Sequence, residues 1–149
     1  VTSVTGTLPP RLQEIADDFI TMPERQRLEL LLEFAGDLPP LPERYAGHPE
    51  RLEPVPECQS PLFLAVERAD DGTVHLFFDA PPEAPTTRGF ASILYAGLDG
   101  LSADEILATP PEFAARFGLQ DLVSPLRLRG MAAMLARIKH RVRELVRVS

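Results

Sequence analysis

The chain has a single cysteine in 149 residues, Cys58. One thiol excludes an intramolecular disulfide framework, and it excludes zinc ribbons and fingers, which need several thiolates. Histidine is almost as scarce. His48, His75 and His140 are scattered, with no pair at i+3 or i+4 to ligate a metal from one helix face. The glycine-rich phosphate loops G-x-x-x-x-G-K-[ST] and G-x-G-x-x-G are missing, as is the nucleophile elbow G-x-S-x-G. Apolar runs fall well short of the roughly 20 residues that span a bilayer. The opening "VTSVTGTLPP" lacks the charged and apolar regions of a secretory signal. Together these absences predict a cytoplasmic, reducing setting with no membrane partner.

Charge is plentiful but uneven. The net charge is −7, yet residues 125–149 hold seven Lys/Arg against one acid, Glu144, which leaves −13 on residues 1–124. A basic terminal helix on an acidic body suggests nucleic acid only if aromatics interleave with the bases for stacking. None does, so the bases read as a solvated helix face. The paired acids Asp17-Asp18 and Asp70-Asp71 likewise read as a helix surface and a turn. Hydrophobic residues at 44% and charged residues at 25% are ordinary for a soluble globular protein. A chain of this length is expected to form one domain over residues 1–149, burying roughly 70% of its unfolded surface.

Leu12, Ile15, Ala16, Phe19 and Ile20 share one helical face, and Pro23 suits the first turn of a second helix stopping near Gly36. These two are expected to pack as an antiparallel pair. Ten of the sixteen prolines cluster in residues 39–61 and 81–85, marking stiff connections, with a short strand near Leu52–Val55. From Leu62 the period falls to two: Leu62, Leu64 and Val66, then Val74, Leu76 and Phe78, flank Asp71-Gly72 as a hairpin would. Helical segments follow at "APTTRGFASILYAGL", at "SADEIL" with a Ser102–Glu105 capping box, and at "PPEFAARFG". Ser124-Pro125 opens the longest helix, whose Leu128, Met131, Leu135, Ile138, Val142 and Leu145 form a core stripe. The plan is α+β, with helices around a small antiparallel sheet.

Cys58 stands in "PVPECQSPLFLAVE", at the mouth of a strand and between prolines. Three readings compete. The thiol is a small buried hydrophobe; it is a nucleophile with His48 or His75 as base; or it is presented to a partner by a stiffened loop. His75 is predicted on the sheet face opposite Val74 and Leu76, and His48 in a proline-rich loop, so neither position argues for a dyad.

The segment "ECQSPLFLAVE" resembles the "GCQS-x-[VL]-W" motif of the SufE family, sulfur-acceptor proteins of iron–sulfur cluster assembly. "RLQEIADDFITMPERQRLELLLEFAGDLPPLP" is similar to the family's opening helix pair, and "EAPTTRGFASIL" to the start of its post-sheet helix. "LQDLVSPLRLRGMAAMLARIK" resembles the block L-x-x-x-L-[ST]-P-x-R-x-x-G-[LM]-x-[AS]-M. The likeness covers about residues 9–145 in order.

The resemblance implies an α+β fold shared with the cluster scaffold IscU. It implies that Cys58 is the acceptor cysteine, with Gln59 and Ser60 completing its motif, Glu83 on the acidic position and Arg127 on the arginine of the terminal block. The implied activity is that of a covalent sulfur carrier and desulfurase activator. It takes sulfur from a SufS-type cysteine desulfurase and passes it to the SufBCD scaffold. Pyridoxal phosphate belongs to the desulfurase; no cofactor or metal is expected here, and no nucleic acid. A thiol-dependent enzyme and a passive binding module stand as alternatives. Three departures from the pattern carry consequences. Glu57 replaces the motif glycine, which would strain a backbone needing φ > 0 and would raise the Cys58 pKa by repulsion. Phe63 replaces tryptophan, and Pro61 precedes the strand. Arg127 has two readings, bonding loop carbonyls or acting electrostatically near the thiolate. The thiol is expected to rest against the apolar side of the hairpin.

Overall fold

Proline and apolar spacing set where the helices begin, and a computed structural model describing residues 7–58 and 60–148 places them. Residues 1–6, Gln59 and Ser149 lie outside the described residues. Helix α1 runs Pro10–Thr21 and α2 runs Glu24–Asp37, each entered through proline. A short strand β1, Glu53–Pro54, leads into β2, Phe63–Arg68, and β3, Val74–Asp79. Then follow α3, Pro85–Leu98, α4, Ala103–Leu107, a 3-10 turn at Phe113–Phe117, and α5, Pro125–Arg147. No described helix is long and apolar enough to cross a membrane.

The sheet is antiparallel in the order β1–β2–β3, with Glu53 opposite Leu64, Leu64 opposite Phe78 and Val66 opposite Leu76. Its hairpin turn closes through Gly72 N–H to the Ala69 carbonyl at 2.9 Å. Gly72 has φ +89°, a conformation that side chains resist, which is why the turn needs glycine there. The expected alternation holds except at Ala65, which is buried too: Leu64, Val66, Val74, Leu76 and Phe78 are buried, and His75 is half-exposed on the other face. That outer face is also dressed. Tyr45 packs on Phe77, and the Arg44 guanidinium pairs with Glu67.

Helix α3 is the hub. Its Phe90, Ile93, Leu94 and Leu98 are buried in the core that also holds Met131, Leu135, Ile138 and Val142 of α5. Each such side chain contributes about 1.5–3 kcal/mol by leaving water. Glycines on α3 let its neighbours come close: a Cβ on Gly89 would lie 2.6 Å from the Leu31 carbonyl oxygen of α2. One on Gly97 would lie 2.6 Å from Leu12 Cδ1 of α1. The two opening helices are therefore gathered onto α3 more than onto each other, a difference from the expected self-packed pair. The "PPEFAARFG" segment is 3-10 and not α-helical, ending at Gly118 with φ +66°. The Ser102–Glu105 box forms as expected.

Candidate functional site

The Cys58 loop is itself a hairpin tip. Val55 N–H bonds the Leu62 carbonyl at 2.9 Å, extending the β1–β2 ladder inward, and both side chains are buried. Within the tip, Cys58 N–H bonds the Val55 carbonyl at 3.1 Å, a β-turn with Pro56 at its second position. Proline fixes φ where such a turn wants it. The stiffness read from the prolines thus has a definite form.

The tip lies on helix α5. Cys58 Sγ is 3.7 Å from the Gly130 carbonyl, within reach of a weak thiol hydrogen bond. Gly130 has no side chain to hold the loop off: a Cβ there would already touch Sγ at 3.4 Å and Cys58 Cα at 3.5 Å. The thiol faces a cavity of about 10 Å³ lined by Thr87 and Phe90 of α3 and Arg127, Gly130 and Met134 of α5. A space that size is marginal for one water. The seat is therefore a helix pair, not the hairpin's apolar side as the sequence suggested.

This setting holds the thiol protonated. Burial, and then the neighbouring Glu57 charge, push the Cys58 pKa up to about 11. At pH 7 the thiolate is then roughly one molecule in ten thousand. The Glu57 carboxylate is held below its usual range, first by its own backbone N–H and then by Arg137. Arg137 Nη2 donates to Glu57 at 3.2 and 3.4 Å, while Nη1 donates to Glu53 at 2.8 Å. No described residue other than glycine has positive φ, so Glu57 sits without the backbone strain feared for it.

The other expected site residues divide. Arg127 lines the cavity with an exposed side chain that makes no hydrogen bond or ion pair to any described residue. The α5 N-terminus is capped instead by Ser124, whose Oγ accepts from the Arg127 backbone N–H at 3.2 Å. The loop-carbonyl reading of the guanidinium thus finds no bond among the described residues. Ser60 is half-buried in the tip; Gln59 is outside the described residues. Glu83 is exposed in the turn before α3 and does not line the cavity. His48 meets Glu50 at 3.2 Å, and His75 meets Thr73 and Asp99 at 3.0 and 3.5 Å. Neither borders the cavity. The described residues contain no cluster of three metal-ligating side chains.

Sequence reasoning missed Gly130 and Arg137. A signal existed: Arg127, Gly130, Met134, Arg137 and Arg141 step by three and four, one residue aside from the core stripe.

The family model for SufE, the Fe-S metabolism associated domain, matches residues 13–142. An uncharacterized SufE-like protein of Mycobacterium tuberculosis is 58% identical over 139 residues, covering 93% of this chain and 96% of its own. A SufE-like protein 1 of Arabidopsis thaliana, chloroplastic/mitochondrial, is 33% identical over 86% of this chain and 33% of its own length. The solution structure of a hypothetical protein from Thermus thermophilus superposes with a TM-score of 0.82 and 38% identity, covering 94% of this chain and 98% of that one.

Proposed function

Because the chain belongs to the SufE family and carries its Fe-S metabolism domain, we propose that it is a sulfur carrier loaded at Cys58 by a cysteine desulfurase. The thiolate attacks the outer sulfur of a persulfide on the desulfurase. A new S–S bond forms at Cys58, the donor's S–S bond breaks, and the electron pair departs on the donor cysteine as thiolate. Nothing is oxidised or reduced overall, so no resident cofactor is called for. Pyridoxal phosphate acts earlier, in the desulfurase.

The observation that carries this reading is the seat of the sole thiol, held half-buried at a hairpin tip over a small cavity. A carrier needs shelter, because a persulfide left in water is oxidised or reduced. It also gains from having no second cysteine to discharge it. A cysteine hydrolase would want a base beside the thiol, and His48 and His75 are engaged elsewhere. With a pKa near 11, Cys58 must change surroundings to react, so docking is taken to draw the tip outward. The same docking would stimulate the desulfurase. A SufS-type enzyme as donor, a SufBCD scaffold as acceptor and a cytoplasmic location complete the proposal.

Intact mass spectrometry tests it. With desulfurase and cysteine present, the protein should gain about one sulfur atom, and Cys58→Ser should abolish both the gain and the stimulation. A serine variant that stimulates as well as the wild type overturns the reading.

A further inference from the structure

We propose that Arg137 is a positioning residue for the Cys58 loop, a latch whose guanidinium bridges Glu53 and Glu57 and holds the thiol-bearing tip down on α5. The inference rests on the carrier reading for its purpose, though not for its geometry.

Among the described residues, the tip has few other polar attachments to the helix. Its Cys58–Val55 bond is internal and would travel with it, while Val55–Leu62 closes its base on the sheet and does not reach α5. The Sγ contact to the Gly130 carbonyl, at 3.7 Å, is weak. Among the described residues, the Arg137–Glu57 pair is the side-chain hydrogen bond that ties the tip to α5 through charge. Arg137 lies two helical turns beyond Gly130 on the same face, so one face supplies both the seat and the fastening.

The two arms of the guanidinium are unequal. The Glu53 arm is short, at 2.8 Å, to a carboxylate 26% exposed that Arg141 also approaches at 3.6 Å. Glu53 stands on β1, fixed in the sheet. The Glu57 arm is longer, at 3.2 Å, to a carboxylate 49% exposed at the tip. The first arm orients the guanidinium; the second lets go. An exposed pair of this kind is weak and screened by salt, which suits a fastening that must open on docking.

The test uses the isolated protein. Thiolate fraction is read from ultraviolet absorbance against pH, iodoacetamide alkylation is timed, and the rate is expressed per thiolate. A purely electrostatic role for Arg137 would shift the thiol pKa upward on Arg137→Gln and leave the rate per thiolate alone. The latch predicts a rate per thiolate higher by roughly two- to fivefold, the factor that an exposed ion pair carries. Glu57→Gln should give the same rise, the double variant no more than either single one, and Arg137→Lys should restore most of the slow rate. Should Arg137→Gln fail to fold, Glu57→Gln at its exposed position decides alone. A rate per thiolate equal to the wild type's in either folded variant overturns the latch. Desulfurase takes no part here, so loss of sulfur acceptance with the alkylation pattern intact would sink the carrier reading and leave the latch standing.

Discussion

Gly130 lies directly beneath Cys58, with room between them for a methyl group and little more: a Cβ on the glycine would stand 3.4 Å from Sγ. The helix surface is thus cut to the shape of the thiol. Burial in that cut is the larger cause of the raised thiol pKa, ahead of Glu57.

Gly130→Val should lift the tip, because its γ-methyl groups have no space beside Sγ. The Cys58 pKa should fall toward its ordinary value; Glu57→Gly, which removes the smaller cause and loosens the latch, should lower it too and speed alkylation at neutral pH. Absorbance titration of the thiolate measures both. By contrast, Gly130→Ala should keep the seat and add about 0.5–1 kcal/mol of stability, the gain of alanine over glycine inside a helix.

The raised pKa also links stability to pH. The folded state prefers the protonated thiol, so this contribution is fully present below the ordinary value of 9.0 and is lost as pH climbs toward about 11. Urea denaturation of wild type and Cys58→Ser across that window should show a steeper loss in the wild type. Parallel curves would mean that the thiol is as free to ionise in the folded chain as in the unfolded one.

Arg127→Ala should leave the melting temperature within about 4 °C, as for an exposed side chain with no hydrogen bond among the described residues. Sulfur acceptance per folded molecule should nevertheless drop if the guanidinium at the cavity rim stabilises the reacting thiolate. Calorimetry and single-turnover mass measurements separate the two; a large stability loss with normal transfer would assign it a structural role.

Gly89→Ala tests the hub. Its new methyl would press on the Leu31 backbone carbonyl at 2.6 Å, which cannot turn aside as a side chain can. The free energy of unfolding from urea denaturation should drop by about 1–3 kcal/mol, the cost of overpacking.

Features set by neighbours in the chain were legible beforehand. The Asp71-Gly72 turn, the Ser102–Glu105 box and the Ser124-Pro125 start each need only a few adjacent residues, and all formed. Period-two and period-three-to-four spacing found the core for the same reason. The seat of the thiol was another matter. Glu57 and Arg137 are 80 residues apart, and nothing local to either one announces the pair. "PECQSP" said that the loop was stiff but not which surface it leaned on. The core stripe of α5 drew attention from the face one residue aside, where Gly130 and Arg137 stand. The 3-10 winding of Phe113–Phe117 was hidden because proline before and glycine after suit either helix type.

The bond between Val55 and Leu62 sets a tether length. With its two feet joined, the six-residue span from Pro56 to Pro61 can swing but cannot pay out more chain. Cys58 is three residues from the nearer foot, a reach of about 10 Å at full extension. A donor whose cysteine lay deeper than that below its own surface would be out of range, however well the two bodies fitted. On the carrier reading, a sulfur donor or acceptor must therefore bring its reacting atom close to its surface, so both would be selected by depth as well as by chemistry.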